Sequence, residues 1–413
     1  MLKLFKNARI FTAITGTHPA TCPELGKLTA WEKGCFTVKD GCFFAVGSRT
    51  DVEKTLKGQD VAQEFDLKGA AVVPGLVDPH THACFAAKRE AEFSMRLAGK
   101  PYLDILKAGG GILSSVRAVH AASEEELFDF SRWLLARTLY YGTTTIEVKS
   151  GYGLDIEAEL RMLRVIRRLN QETPQTVVPT FMGAHAVPEA YRENPEGYVD
   201  LLTGTMLPAV AEQGIARFCD VFCEEGVFSV EQSRRILLKA RELGLKLKIH
   251  ADEVNDLGGA ALAGELRAVS AEHLLAASDA GIKAMARGGV VADLLPATAY
   301  SLRKPFARAR AMIENGVSVA LATDLNPGSC YCESMPFVLS LAIMEMGLTP
   351  EEALNGATLN AAWAIGMQDK AGSIEPGKMA DFLVLDGETP AAFAYASGSR
   401  PIQAVWKLGE RVA

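Results

Sequence analysis

Strand-length apolar runs alternate with helical patterns through most of this chain, and that alternation limits its fold. Runs at 70–78, 143–148, 177–183, 218–223, 245–250, 268–273, 290–294 and 318–323 are rich in apolar and β-branched residues, as strands buried on both faces are. Segments with helical period lie between most of them. The segment 123–139 opens on a Ser-x-x-Glu capping box at Ser123 and Glu126, 156–169 is amphipathic, and 230–243 closes on Gly244. Eight strands joined in this way predict an α/β fold, a closed (β/α)8 barrel of the TIM type. The connection from His82 to Ser123 is much longer than such loops usually are and contains Gly109-Gly110-Gly111, so it reads as a lid or substrate clamp.

The two ends of the chain follow a different rhythm. Residues 1–69 read as short strands and turns, with Asp40-Gly41 set between two β-prone runs as a tight hairpin. Residues 366–413 carry further strand-like runs. The two ends are expected to pair into one small discontinuous β-sandwich, leaving 70–365 as the catalytic barrel.

Composition narrows the function classes. At 413 residues and 48% apolar content, the chain suits one large barrel with an appended module. It has no apolar run long enough to span a membrane, and its first residues lack the apolar stretch of a signal peptide. Its eight cysteines are scattered without a Cys-x-x-Cys pair, which predicts reduced thiols in the cytoplasm. The net charge of −7, with both signs interspersed, leaves no basic stripe for nucleic acid. A small-molecule substrate is the expected partner.

Chemistry-bearing residues collect at the predicted strand ends, where barrel enzymes place their active sites. His80 and His82 end the first strand, and on an extended backbone alternate side chains share a face. His185, His250, His273 and Asp324 end the third, fifth, sixth and eighth strands. His80, His82, His250 and Asp324 offer three imidazoles and one carboxylate, which suits one ion, zinc or iron, with a position left for water. Asp324 is also placed to take a proton from that water. His273 is expected either to orient the water or to join the ligands. A second metal is not expected, because the fourth strand ends Asp220-Val-Phe-Cys-Glu-Glu without a lysine to bridge two ions. Lys149, ending the second strand, reads as packing or substrate contact.

These motifs resemble the amidohydrolase superfamily over essentially the whole chain: Pro74-Gly-Leu-Val-Asp-Pro-His-Thr-His, the strand-end His250, His273 and Asp324, and Gly372-x-x-x-Pro-Gly-Lys-x-Ala-Asp. Within it the chain looks similar to the imidazolonepropionase family of histidine degradation. That likeness rests on Arg89-Glu-Ala-Glu-Phe, Ala108-Gly-Gly-Gly-Ile, Thr145-Ile-Glu-Val-Lys-Ser-Gly-Tyr-Gly-Leu, Phe181-Met-Gly-Ala-His and Ala322-Thr-Asp-Leu-Asn-Pro-Gly-Ser. The resemblance implies hydrolysis of 4-imidazolone-5-propanoate to N-formimidoyl-L-glutamate, and a homodimer. It carries metal binding to His80, His82, His250 and Asp324, and substrate contacts to Arg89, Tyr152, His185, Glu253, Asn326, Gly328 and Ser329. Ser329 stands where the family often has Thr, and Glu253 where relatives have Gln or Glu, leaving Glu253 as acid, base or hydrogen-bond partner.

The residue chemistry suggests roles within that frame. Arg89 would clamp a propionate, Asn326 would offer a donor and an acceptor to a heterocycle, and His185 would help hold an oxyanion. The spacing His250-x-x-Glu253 also resembles deaminases of the superfamily, so a deaminase or formimino-hydrolase is the alternative; ammonia release separates the two.

Overall fold

The computed structural model describes residues 1–100 and 110–413, so Gly109 and part of the expected lid lie outside the described residues. The chain opens with β1 (Leu2–Ala13), β2 (Leu28–Lys39), β3 (Cys42–Ser48), β4 (Gln63–Asp66) and β5 (Ala71–Pro74). The barrel strands follow: β6 (Leu76–Asp78), β7 (Thr143–Lys149), β8 (Thr176–Ala184), β9 (Phe218–Cys223), β10 (Lys246–Ala251), β11 (Ser270–His273), β12 (Val291–Leu294) and β13 (Ser318–Leu321). The chain ends with β14 (Phe382–Leu385), β15 (Ile402–Lys407) and β16 (Glu410–Arg411). Strands β6 to β13 lie side by side in chain order, and every pair between them is parallel. This is the expected (β/α)8 barrel.

The helices begin where local chemistry starts them. Ser123 caps the helix Glu124–Tyr140 with a complete capping box, and Ser229 does the same for Val230–Glu242. Asp155 caps Ile156–Glu172 by accepting the Ala158 N–H. Among the described residues, no helix is long and apolar enough to cross a membrane, and all eight cysteines are free.

The terminal strands form one mixed sheet in the order β16-β15-β14-β5-β1-β2-β3, with β4 also paired to β1. Strands β2 and β14 are three spacings apart along it, about 14 Å if the sheet were flat. The Phe36 and Phe382 ring centroids nevertheless lie 4.9 Å apart. The sheet is therefore folded on itself around Phe5, Phe36, Phe382 and Trp406, which gives the small sandwich built from both ends. Asp40 and Gly41, both with positive φ, make the β2–β3 hairpin as the sequence predicts.

The run at 70–78 is not a single strand. Its first half, β5, pairs with β1 and β14 in the sandwich, and its second half, β6, pairs with β7 in the barrel. The units meet at Gly75 rather than before residue 70. The Gly75 N–H donates to Asp381 O at 2.9 Å on the sandwich side, and the next N–H, that of Leu76, donates to Gly142 O at 3.0 Å on the barrel side. A Cβ on Gly75 would lie 2.2 Å from Thr144 Oγ1. Gly75→Ala is therefore expected to lower the unfolding free energy by about 1–3 kcal/mol through overpacking, read by urea denaturation; an unchanged midpoint would show that the Thr144 contact relaxes freely.

Candidate active site

The barrel closes at its catalytic end. Asp324 N–H donates to His80 O at 3.1 Å, and His82 N–H donates to Leu325 O at 2.9 Å. Thr323 gives its N–H and hydroxyl to the two oxygens of Asp78 at 3.1 and 2.6 Å. These bonds bring the first and eighth strand ends together, and with them the candidate ligands. His80 Nε2 and His82 Nε2 lie 3.5 and 3.6 Å from Asp324 Oδ1, and His250 Nε2 lies 3.3 Å from His82 Nε2. Two ligands on one tetrahedral ion are about 3.4 Å apart. His80, His82 and Asp324 are spaced for a single ion, and His250 adjoins that group through His82.

The donor chemistry fits as well. Burial, then the charge of Lys149 or of neighbouring imidazoles, holds His80, His82 and His250 well below the usual histidine range, so they are neutral and keep a lone pair for a metal. His250 Nδ1 donates to Asp220 Oδ1 at 3.2 Å, which turns the lone pair on Nε2 towards His82. Neither ring nitrogen of His80 has a hydrogen-bond partner, although both are buried. An orphaned nitrogen is costly to bury, and a cation would take up the one that carries the lone pair. Asp324 adopts a left-handed backbone with φ 53°, and its Oδ2 accepts from Thr298 Oγ1 at 2.7 Å, leaving Oδ1 for His80 and His82. Burial pushes its carboxyl up to about 6.

His273, also left-handed, shares a second potential ligand group with His80 and His250. Its Nε2 lies 3.6 Å from Glu253 Oε2, so it faces both the ion site and the residue after it in the pocket. Asp220 and Glu272 are near enough to form a further group, but each is already committed. Asp220 ion-pairs with Lys149 at 2.9 Å and Glu272 with Lys248 at 3.1 Å. Lys149 is fully buried and also bound to Glu147 at 2.7 Å. Burial opposes its charge, but Asp220 and Glu147 outweigh this and raise its pKa. Of the two readings of Lys149, the packed one describes it.

One wall of the pocket is built by the β7 and β8 ends. His185 stacks on His82, with centroids 4.8 Å apart, and Tyr152 sits beside both rings. His185 Nδ1 is 3.0 Å from Gly151 O, and a carbonyl only accepts, so the proton is on Nδ1. Burial lowers its pKa to about 4, and the neutral ring presents a lone pair on Nε2. As a neutral ring His185 offers an acceptor at Nε2, whereas the oxyanion role expected from the sequence would need a donor there. Gly151 is required here, because its φ is 103° and a Cβ would lie 3.1 Å from His185 Nδ1. Sequence reasoning missed Glu159, whose buried carboxylate accepts the N–H groups of Gly151, Gly153 and Leu154 and so fixes the Tyr152 loop. Its position inside an amphipathic helix gave no signal.

The opposite wall follows β13. The Asn326 amide is consumed by its own loop: Nδ2 donates to Asp324 O and Ser329 Oγ at 2.7 and 2.9 Å, while Oδ1 accepts from Gly328 N and Ser329 N at 2.9 and 2.8 Å. The side chain that the sequence offered to a heterocycle thus shapes its own loop. The Ser329 hydroxyl is likewise engaged with Asn326. Arg89 lies against Gly328, where a Cβ would come within 2.3 Å of Nη1. Glu253 completes the pocket; burial and then the Glu224 charge push its carboxyl up to about 7. Gly328→Ala is expected to fold normally, since its backbone is not left-handed, yet to displace the Arg89 guanidinium and raise KM about tenfold with little change in kcat; steady-state kinetics checks this.

Comparison with known proteins agrees with this geometry. The amidohydrolase family model matches residues 71–412. The chain is 55% identical over 410 residues to the imidazolonepropionase of Desulfotalea psychrophila, covering 99% of each chain. It is 57% identical over 405 residues to that of Syntrophobacter fumaroxidans, covering 98% of this chain and 96% of the relative. Among solved structures, a zinc-bound adenosine deaminase from Xanthomonas campestris shares the fold with a TM-score of 0.72 at 19% identity, covering 99% of this chain and 92% of that one. With its full-length similarity and its strand-end donor set, the chain belongs to the amidohydrolase superfamily and, within it, to the imidazolonepropionase family.

Proposed function

We propose that this protein hydrolyses the cyclic amide C–N bond of 4-imidazolone-5-propanoate to give N-formimidoyl-L-glutamate. The observation that carries the reading is 55% and 57% identity over nearly the whole chain to two imidazolonepropionases, and the close grouping of His80, His82 and Asp324, with His250 beside His82, supports it. As part of the same proposal, each chain holds one zinc or iron ion, since imidazole and carboxylate suit both. The protein works as a cytoplasmic homodimer without nucleic-acid or membrane partners.

An ion on those four residues supplies a Lewis acid that lowers the pKa of water and polarises the ring carbonyl. The Asp324 carboxylate takes a proton from the attacking water, and the Thr298 hydroxyl on Oδ2 keeps it in one orientation. His273 orients that water. The water oxygen adds to the carbonyl carbon, Asp324 returns the proton to the ring nitrogen, and the C–N bond breaks. The carbonyl carbon becomes a carboxylate and releases the second water proton. His185 Nε2 accepts a ring N–H, and Glu253, with its raised carboxyl, sets the tautomer from the side of His273. Arg89 receives the propionate.

Incubation with enzymatically generated imidazolone propionate is expected to remove its ultraviolet absorbance without releasing ammonia; ammonia would favour a deaminase. Chelation should abolish the reaction. Asp324→Asn should leave metal partly bound by elemental analysis while turnover falls about 10²–10⁴-fold. Retained turnover in that variant contradicts the proton-transfer role.

A further inference from the structure

We propose that Glu92 is a positioning residue that aims Arg89 at the substrate carboxylate, so that selectivity for a carboxylate side chain belongs to the pair and not to Arg89 alone. The inference rests on the reading that Arg89 receives the propionate. Glu92 lies in the helix Glu90–Leu97, three residues after Arg89. Its two oxygens accept from Arg89 Nε at 3.0 Å and Nη2 at 2.7 Å, a bidentate pair that fixes the plane of the guanidinium. The edge left over carries Nη1, the atom nearest to Gly328 on the Asn326 loop. The arginine is thereby turned towards the loop that follows Asp324.

The carboxylate is held from a second side as well. Glu92 Oε2 accepts the Gly111 N–H and Oε1 the Ser114 hydroxyl, each at 3.1 Å, at the start of the helix Ile112–Ala121. Burial works to raise the Glu92 carboxyl, yet the bonds from Arg89 and Gly111 together hold it below the usual carboxylate range. It is therefore ionised and anchored on its own helix start and on the start of the next helix.

Two effects oppose each other at this point. An unsupported arginine must give up rotamer freedom each time it binds, and Glu92 removes that cost in advance. Its negative charge, however, repels an incoming carboxylate. Arg96 offsets the repulsion: its Nη2 donates to Gly328 O at 3.1 Å, so Arg89, Glu92 and Arg96 together carry one net positive charge beside Gly328. One substrate carboxylate neutralises the trio. With the charge restored in this way, orientation decides the sign.

The test compares wild type, Glu92→Gln and Arg89→Gln on two substrates, the imidazolone propionate and the same ring with a neutral propionamide side chain. For Glu92→Gln, KM for the propionate is expected to rise about tenfold, the scale of one charge-assisted hydrogen bond, with kcat within about twofold. KM for the propionamide should not change. An unchanged or lowered KM for the propionate overturns the proposal, and so does an equal loss on both substrates, which would mark a merely structural part. If Arg89→Gln loses the carboxylate preference while Glu92→Gln keeps it, the positioning role fails and the reading of Arg89 stands. If Arg89→Gln keeps the preference, that reading fails and the proposal with it. Should Glu92→Gln not fold, Ser114→Ala removes one anchor and leaves the ion pair; a rise of about threefold in KM for the propionate alone supports the proposal, and no rise overturns it.

Discussion

The hydrogen bonds that close the barrel between its first and eighth strands are the constraint on which the site depends. β6 and β13 share no regular ladder; they are joined at their catalytic ends by Asp324 N–H to His80 O, His82 N–H to Leu325 O, and Thr323 to Asp78. The same few bonds that make a barrel from an open sheet therefore set the distance from Asp324 to His80 and His82. Closure and ligand spacing are one event. A shift in this seam would move the carboxylate off the imidazoles before it disturbed the core.

Beneath the seam lies a floor of buried charge. Lys149 pairs with Glu147 and Asp220, and Lys248 pairs with Glu272, all without solvent exposure. Isolated, any of these charges would be too costly to bury, but each faces an opposite charge and is hydrogen-bonded. Asp220 passes that order upward by fixing the His250 tautomer. The Lys149 charge also works against protonation of His80, His82 and His250, as burial does, which keeps their lone pairs ready for a cation.

Much of this was legible in the sequence, for reasons that are local. A strand end reveals itself by its apolar run, so the placement of His80, His82, His250, His273 and Asp324 at one face could be read before any coordinates. Capping boxes and the Asp40-Gly41 turn are equally local. What escaped depends on partners distant in the chain. Gly75 divides an apolar run that looks continuous, because the two N–H groups at 75 and 76 bond to different units. The Asn326 amide looked free to read a substrate until its loop closed on it, and the tautomer of His185 is set by one carbonyl across the pocket. Glu92 and Glu159 are ordinary helix acids by pattern, and only folding reveals what they hold.

On the proposed function, one ion held where the barrel closes makes this fold a hydrolase. Metal analysis paired with activity tests it most directly: protein stripped by chelation is titrated with zinc or iron(II) while imidazolone propionate turnover is followed. Activity is expected to rise linearly and level off at one ion per chain. A plateau reached only at two ions, or full turnover by the stripped protein, would contradict it.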